Sequence, residues 1–170
     1  MTKFLPPYEK QEYLEQALFL YLRYSKFLDD DYAQRGMPVF EYFNQLITSL
    51  SPFFWVITED DEVSGFVYLD NLIGDGERLH SAELTTCFKK KFWGDYTKRC
   101  ARLFLNFCFE RFGFYKIKAL VYPENSRVIT LLKDSGFIKE ALLKNETLRN
   151  NSLPVSYTHL RAHETGAYLV

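Results

Sequence analysis

Cysteine and histidine are scarce in this chain, three of each among 170 residues. Cys87, Cys100 and Cys108 include no C-x-x-C pair, so no clustered set of zinc ligands can be read from them. Cys100 and Cys108 lie on an apolar stretch where a buried free thiol is the common outcome, and all three are expected to serve packing. No apolar run approaches the roughly 20 residues of a membrane span. Neither sign of charge prevails: 21 Lys+Arg against 22 Asp+Glu leave a net charge of −1. That balance argues against a nucleic-acid partner held by bulk phosphate attraction. The N-terminus, Met1-Thr2-Lys3-Phe4-Leu5-Pro6-Pro7, lacks the long apolar core of a signal peptide. A cytoplasmic protein with no membrane partner is expected.

What the chain does have is core-forming material. Hydrophobic residues make up 47% and charged residues 25%, which at this length means one domain able to fold without disulfides or metals. Aromatic residues reach 18%, enough for a bulky core or an aromatic-lined cleft. The C-terminus stands apart. Residues 155–165 read Val-Ser-Tyr-Thr-His-Leu-Arg-Ala-His-Glu-Thr and resemble one reading frame of a transposase sequencing adapter. Residues 155–170 are therefore read as a non-native tail and residues 1–154 as the domain, which leaves His80 as its one histidine.

Apolar spacing predicts a helix over residues 9–28, with Leu14, Ala17, Leu18, Tyr21, Leu22 and Leu28 on one face. A second helix is predicted from Pro38 to about Leu50, stopped by Ser51-Pro52. Residues 53–58 and 63–69 read as a hairpin, followed by a longer strand over residues 80–89. A third helix over residues 96–112, a strand over 115–122, a fourth helix over 125–134 and a strand over 137–148 complete the pattern. This order mixes a meander with a strand–helix–strand crossover, an α+β sandwich with helices on both faces of a mixed sheet.

Two segments concentrate chemical information. In residues 83–97 a strand runs into Phe92-Trp93-Gly94 and a helix begins. A helix start offers unpaired N–H groups and partial positive charge, an anion site suited to a pyrophosphate, with Lys89, Lys90 and Lys91 just upstream. A tight turn beside a solvated lysine run is the alternative. In residues 122–137, Pro123 ends a strand, Asn125 fits a helix N-cap and Gly136-Phe137 closes the helix.

Together these segments resemble the GNAT superfamily of N-acetyltransferases, and especially its branch that acetylates ribosomal-protein N-termini. The resemblance rests on Phe92-Trp93-Gly94, Pro123-Glu124-Asn125 and Gly136-Phe137, in order and at family-like spacing over residues 9–154. It implies a GNAT-like mixed central sheet. The sheet's last strand would begin where the adapter-like string does, and it is expected to be truncated. The family's pyrophosphate loop is usually Gln/Arg-x-x-Gly-x-Gly/Ala, and here it reads Lys91-x-x-Gly94-x-Tyr96. A cation is kept, the guanidinium is lost and the last glycine is a tyrosine. Alternatively the loop is one residue shorter and Tyr96-Thr97 matches the aromatic-small pair that follows it. Leu132 stands where many members carry a tyrosine that protonates the leaving thiolate.

The resemblance implies acetyl-CoA as co-substrate and direct transfer of its acetyl group to a primary amine, either a protein N-terminus or a small molecule. The pyrophosphate would lie on the backbone of Trp93, Gly94, Asp95, Tyr96, Thr97 and Lys98, and the pantetheine along Cys87, Phe88 and Lys89, where amides near Phe88 and Lys89 polarise the carbonyl. Asn125 would bond the cofactor arm or the splayed strand end, or serve only as a helix cap. Tyr24, Tyr32, Phe40 or Tyr42 would line an acceptor cleft, unless they are core residues. An amine nucleophile needs a base. Glu83 matches a glutamate that several members carry early on this strand; acting through one water it is the expected base, with burial raising its pKa, and an ordinary surface carboxylate is the other reading. Period-two alternation puts Glu83, Thr85 and Cys87 on one face and His80, the second candidate, on the other. The protein is expected to be a monomer or homodimer. The alternative function is a non-catalytic GNAT-fold acyl-CoA-binding or assembly protein, suggested by Tyr96 in the phosphate loop.

Overall fold

The structure is a computed structural model, and it describes every residue except 30–32, 34, 35, 76, 149–154 and 164–170. The strands are β1 (Thr2–Leu5), β2 (Phe54–Glu59), β3 (Glu62–Gly74), β4 (Leu79–Phe88), β5 (Lys116–Val121), β6 (Ile138–Thr147) and β7 (Val155–His163). They form one seven-stranded sheet in the order β1-β2-β3-β4-β5-β7-β6. Every neighbouring pair is antiparallel except β4 with β5. The helices are α1 (Gln11–Leu28), α2 (Val39–Leu50), α3 (Asp95–Phe112) and α4 (Ser126–Asp134). This is the expected α+β class with helices on both faces. Among the described residues no helix is long and apolar enough to cross a membrane.

Helical and strand periodicity assign the two cores. Tyr13, Ala17, Leu20 and Tyr21 recur on one side of α1, Phe43 and Ile47 on one side of α2, and they meet Phe54, Val56, Phe66, Tyr68 and Cys87 of the sheet. On the opposite face, Cys100, Phe104, Leu105, Cys108 and Phe109 of α3 and Leu132 of α4 pack on Trp55, Val67, Leu69, Ala82, Phe88, Ile117 and Ala119. All three cysteines are buried free thiols. Glycine in the left-handed region closes α3 at Gly113 (φ 64°) and turns the chain after α4 at Gly136 (φ 94°).

The structure corrects two expectations. The chain opens with an unexpected strand, β1, whose Phe4 and Leu5 pair with Ile57 and Val56 of β2. It is too short to show a period. The second correction concerns the last strand, expected to be cut short where the tail begins. Residues 155–163 instead form β7, which lies between β5 and β6 and pairs with both. The reason is alternation: Ala119 faces Leu160 and Ile117 faces Ala162, and Leu160 is fully buried. Any segment with apolar residues at alternate positions satisfies those two strand edges. The expected domain boundary at residue 154 thus precedes a strand of the sheet.

Leu160→Ala is expected to lower stability by about 2–5 kcal/mol, the range for truncating a fully buried leucine. Urea denaturation checks this, and an unchanged midpoint would show that β7 does not pack on β5 in solution.

Candidate active site

β4 and β5 are joined through Ser81↔Lys116, Ala82↔Ile117 and Glu83↔Lys118 only. Beyond that point β4 continues along β3 as far as Gly65↔Phe88, and β5 continues along β7 as far as Val121↔Thr158. Each strand therefore keeps its outer partner and loses the inner one. The Lys89 N–H donates to Ser64 O at 2.8 Å and extends the β3 contact past the end of β4. On the other side, the Tyr122 hydroxyl donates to Asp29 O at 3.0 Å and ties the end of β5 to the end of α1. A fork with unpaired backbone edges results, and such groups call for another partner. Strand alternation turns the Lys89 amide toward β3 and the amides of Thr86 and Phe88 into the fork.

The fork opens into a cavity of about 850 Å³, bounded by residues 84–88, by residues 119–122, by Trp93, Gly94, Thr97 and Lys98, and by the first residues of α4. At its mouth the chain turns sharply. Gly94 is the N-cap of α3 with φ 113° and ψ −136°, a conformation that only glycine adopts without strain. A Cβ placed there would meet nothing within 4 Å, so the backbone is open to a ligand. The first helical bond is Lys98 N–H to Gly94 O, which leaves the amides of Asp95, Tyr96 and Thr97 outside the ladder. Trp93 Nε1 donates to Phe88 O at 3.1 Å and locks the turn onto the end of β4. An extended chain carrying amides, with an anionic group at one end, fits this combination of strand edges and helix start.

The expected site residues divide into two sets. Cys87, Phe88, Trp93, Gly94, Thr97, Lys98 and Asn125 line the cavity, whereas Glu83, Lys89, Asp95 and Tyr96 do not. Lys89 reaches back to Gln16 on α1. The Tyr96 hydroxyl bonds Ser64 Oγ at 2.8 Å across the sheet, so the tyrosine in the phosphate loop takes no space in the cavity. Lys98 is turned toward Asp134 of α4, with Nζ 2.8 Å from the carboxylate. Asn125 opens α4 through its carbonyl, which accepts from Ile129 N–H at 3.1 Å, and its side chain makes no capping bond. Of the aromatics expected at an acceptor cleft, Tyr24 lines the cavity, Tyr42 packs on Tyr21, Phe40 is exposed and Tyr32 lies outside the described residues. His80 stacks on Tyr115 near the start of β4, at the closed end of the fork.

Glu83 sits at the branch point. Its carboxylate accepts from Lys118 Nζ at 3.2 Å and from Asn71 Nδ2 at 2.9 Å. Asp70 of β3 pairs with it across the strands, so Asp70, Glu83 and Lys118 form one row on the face that carries α1 and α2. Burial, then the Glu83 charge, pushes the Asp70 carboxyl up to about 6, with Lys118 pulling the other way. Sequence reasoning missed Asp70. Its only signal was strand alternation, and a register shift after Asp70, where Asn71 adopts φ 45°, hides the partner count. Cys87 is desolvated, and its thiol is pushed up to about 12.

The family model for the acetyltransferase (GNAT) domain matches residues 10–138. No curated protein matches the chain. Among solved structures it is similar to Mycobacterium smegmatis RimJ in complex with CoA-disulfide, at 18% identity and a TM-score of 0.76, over 98% of this chain and 84% of that one. It is also similar to the ribosomal-protein-S5-alanine acetyltransferase of Vibrio fischeri, at 14% identity and a TM-score of 0.71, over 95% and 91% of the two chains. A third similarity is to spermidine N-acetyltransferase from Vibrio cholerae in complex with CoA and spermine, at 18% identity and a TM-score of 0.73, over 96% and 95%. At these identities the structural likeness is one of fold. The family match spans most of the sequence and takes in the forked strands and both helix starts, and the chain belongs to the GNAT family of acetyltransferases.

Proposed function

We propose that this GNAT-family N-acetyltransferase uses acetyl-CoA to acetylate a primary amine, either a protein N-terminus or a small-molecule amine, by direct transfer. The observation that carries the reading is the fork between β4 and β5, which ends at the Gly94 helix start. Acetyl-CoA supplies an activated acetyl thioester. The unpaired edges of β4 and β5 hold its pantetheine arm, the amides following Gly94 hold its pyrophosphate, and the fork-facing amides of Thr86 and Phe88 are the donors available to a developing oxyanion. Asn125, with its amide uncommitted to the helix, contributes to the same arm.

Direct transfer is supported by the state of Cys87. Its thiol lines the cavity, yet burial holds it protonated at neutral pH, so it is a poor nucleophile. Leu132 is apolar and buried, and offers no proton to a leaving thiolate. The incoming amine must lose its own proton. The base of this proposal is the Asp70–Glu83 pair, acting through water because neither residue lines the cavity; Lys118 and Asn71 orient Glu83, and the Asp70 carboxyl titrates at about 6. The non-catalytic alternative drew on Tyr96, whose side chain is directed at Ser64 and away from the cavity.

A thiol-release assay across a panel of amines and peptide N-termini tests the reading, with CoA production expected from at least one acceptor. Gly94→Val is expected to weaken acetyl-CoA binding at least tenfold by calorimetry, because a β-branched residue cannot hold φ 113°. Glu83→Gln is expected to lower kcat/KM by about a hundredfold or more, the range for a lost general base. Its acetyl-CoA affinity should stay within about twofold, since Glu83 does not line the cavity.

The pH dependence carries a sign that can be checked twice. A base must be deprotonated, so kcat/KM is expected to rise as pH passes through about 6, and Asp70→Asn should remove that limb. A carboxyl whose pKa is raised on folding binds more protons in the native state. Stability is therefore expected to fall as pH rises from about 4 to about 6, and the same variant should flatten that slope in melting curves.

A further inference from the structure

Around the turn that opens α3, Lys90 lines the cavity, and the other three lysines are held by partners elsewhere. Lys89 is engaged with Gln16, Lys91 with Glu62, and Lys98 with Asp134. The Lys91-x-x-Gly94 loop also carries no guanidinium. Across the mouth of the cavity, however, stands Arg127 in the first turn of α4. Its guanidinium carbon lies 4.6 Å from the centroid of the Trp93 ring. The ring is itself fixed, since Nε1 donates to Phe88 O and Tyr24 of α1 packs against it at 6.1 Å between centroids. Tyr24, Trp93 and Arg127 all line the cavity, and among the described residues no carboxylate is paired with Arg127.

Two features argue against an incidental contact. A cation in the first turn of a helix opposes the helix dipole, and α4 has no acidic residue in that turn to offset it. The helix by itself gains nothing from Arg127. A guanidinium stacked on a ring, moreover, keeps its in-plane N–H groups free to bond a planar or tetrahedral oxyanion.

We propose that Arg127, seated on Trp93, provides the guanidinium contact to the pyrophosphate of acetyl-CoA that the loop before α3 does not contain. This rests on the co-substrate reading above. The indole then has two jobs. Its N–H holds the turn against β4 and its face holds the arginine, so that the amides of α3 and the guanidinium of α4 converge on one phosphate pair from opposite sides of the cleft.

The test is calorimetry with acetyl-CoA and with its 3′-dephospho form, on the parental chain, Arg127→Gln and Arg127→Lys. A charge-assisted bond to phosphate lost in Arg127→Gln is expected to raise Kd roughly tenfold to a hundredfold, by the same factor for both ligands. Arg127→Lys should fall between, because it keeps the charge without the fork or the stacking. Equal affinity of Arg127→Gln and the parental chain overturns the proposal, and so does a loss seen only when the 3′-phosphate is present. If the parental chain itself binds neither ligand, the co-substrate reading fails and takes this one with it. Parental binding with an indifferent Arg127→Gln overturns the arginine assignment alone.

Discussion

The point at which β4 and β5 stop pairing controls the rest of the molecule. Parallel strands ordinarily continue their ladder, and these two part after Glu83↔Lys118. Each half of the sheet is kept intact by its own antiparallel neighbours, so the split costs hydrogen bonds only along the inner edges. The two halves are then held apart at the open end by contacts that do not cross the gap. Lys89 and Trp93 hold the β4 side to β3 and to the α3 turn, and Tyr122 holds the β5 side to α1. What remains between them is a slot whose two inner strand edges no longer pair with each other, a site for a ligand that brings its own amides.

The same branch point organises charge. Asp70, Glu83 and Lys118 stand in one row where the sheet is still closed, and the fork begins one residue further on. Burial first, and then the neighbouring Glu83 charge, raises the pKa of the Asp70 carboxyl in this row. Glu83 in turn holds the Lys118 ammonium and the Asn71 amide. Anion-binding elements, by contrast, gather at the far end of the slot, where α3 and α4 both begin. The slot thus runs from an acidic row at its closed end to two helix starts at its mouth, a polarity suited to a ligand that is anionic at one end and meets an amine at the other.

Residues far apart in function are tied together by packing. Tyr96 stands in the phosphate loop by sequence, yet it serves the opposite side of α3, bonding Ser64, whose backbone carbonyl also receives Lys89. The helix start and the end of β4 are therefore both referred to one buried serine on β3, which fixes the turn relative to the fork.

The amino-acid sequence by itself determined the elements that repeat over contiguous residues. The stripes of α1 and α2, the β2–β3 hairpin, the Trp93-Gly94 turn and the helix ended by Gly136 all follow from local spacing and from backbone freedom at single glycines. Alternation along β4 also places Glu83 and Cys87 on one face without reference to any partner strand. Only the tertiary structure decided where β4 leaves β5, that β7 lies between β5 and β6, that Asp70 stands opposite Glu83, and that Lys89 and Tyr96 turn away from the cavity while Arg127 turns toward it. These depend on pairing register and on side-chain partners distant in the chain, and such partners leave no period in the residues that meet them. The chemistry of the site lies mostly in those pairings, and for that reason the turn was legible in the sequence and its charge distribution was not.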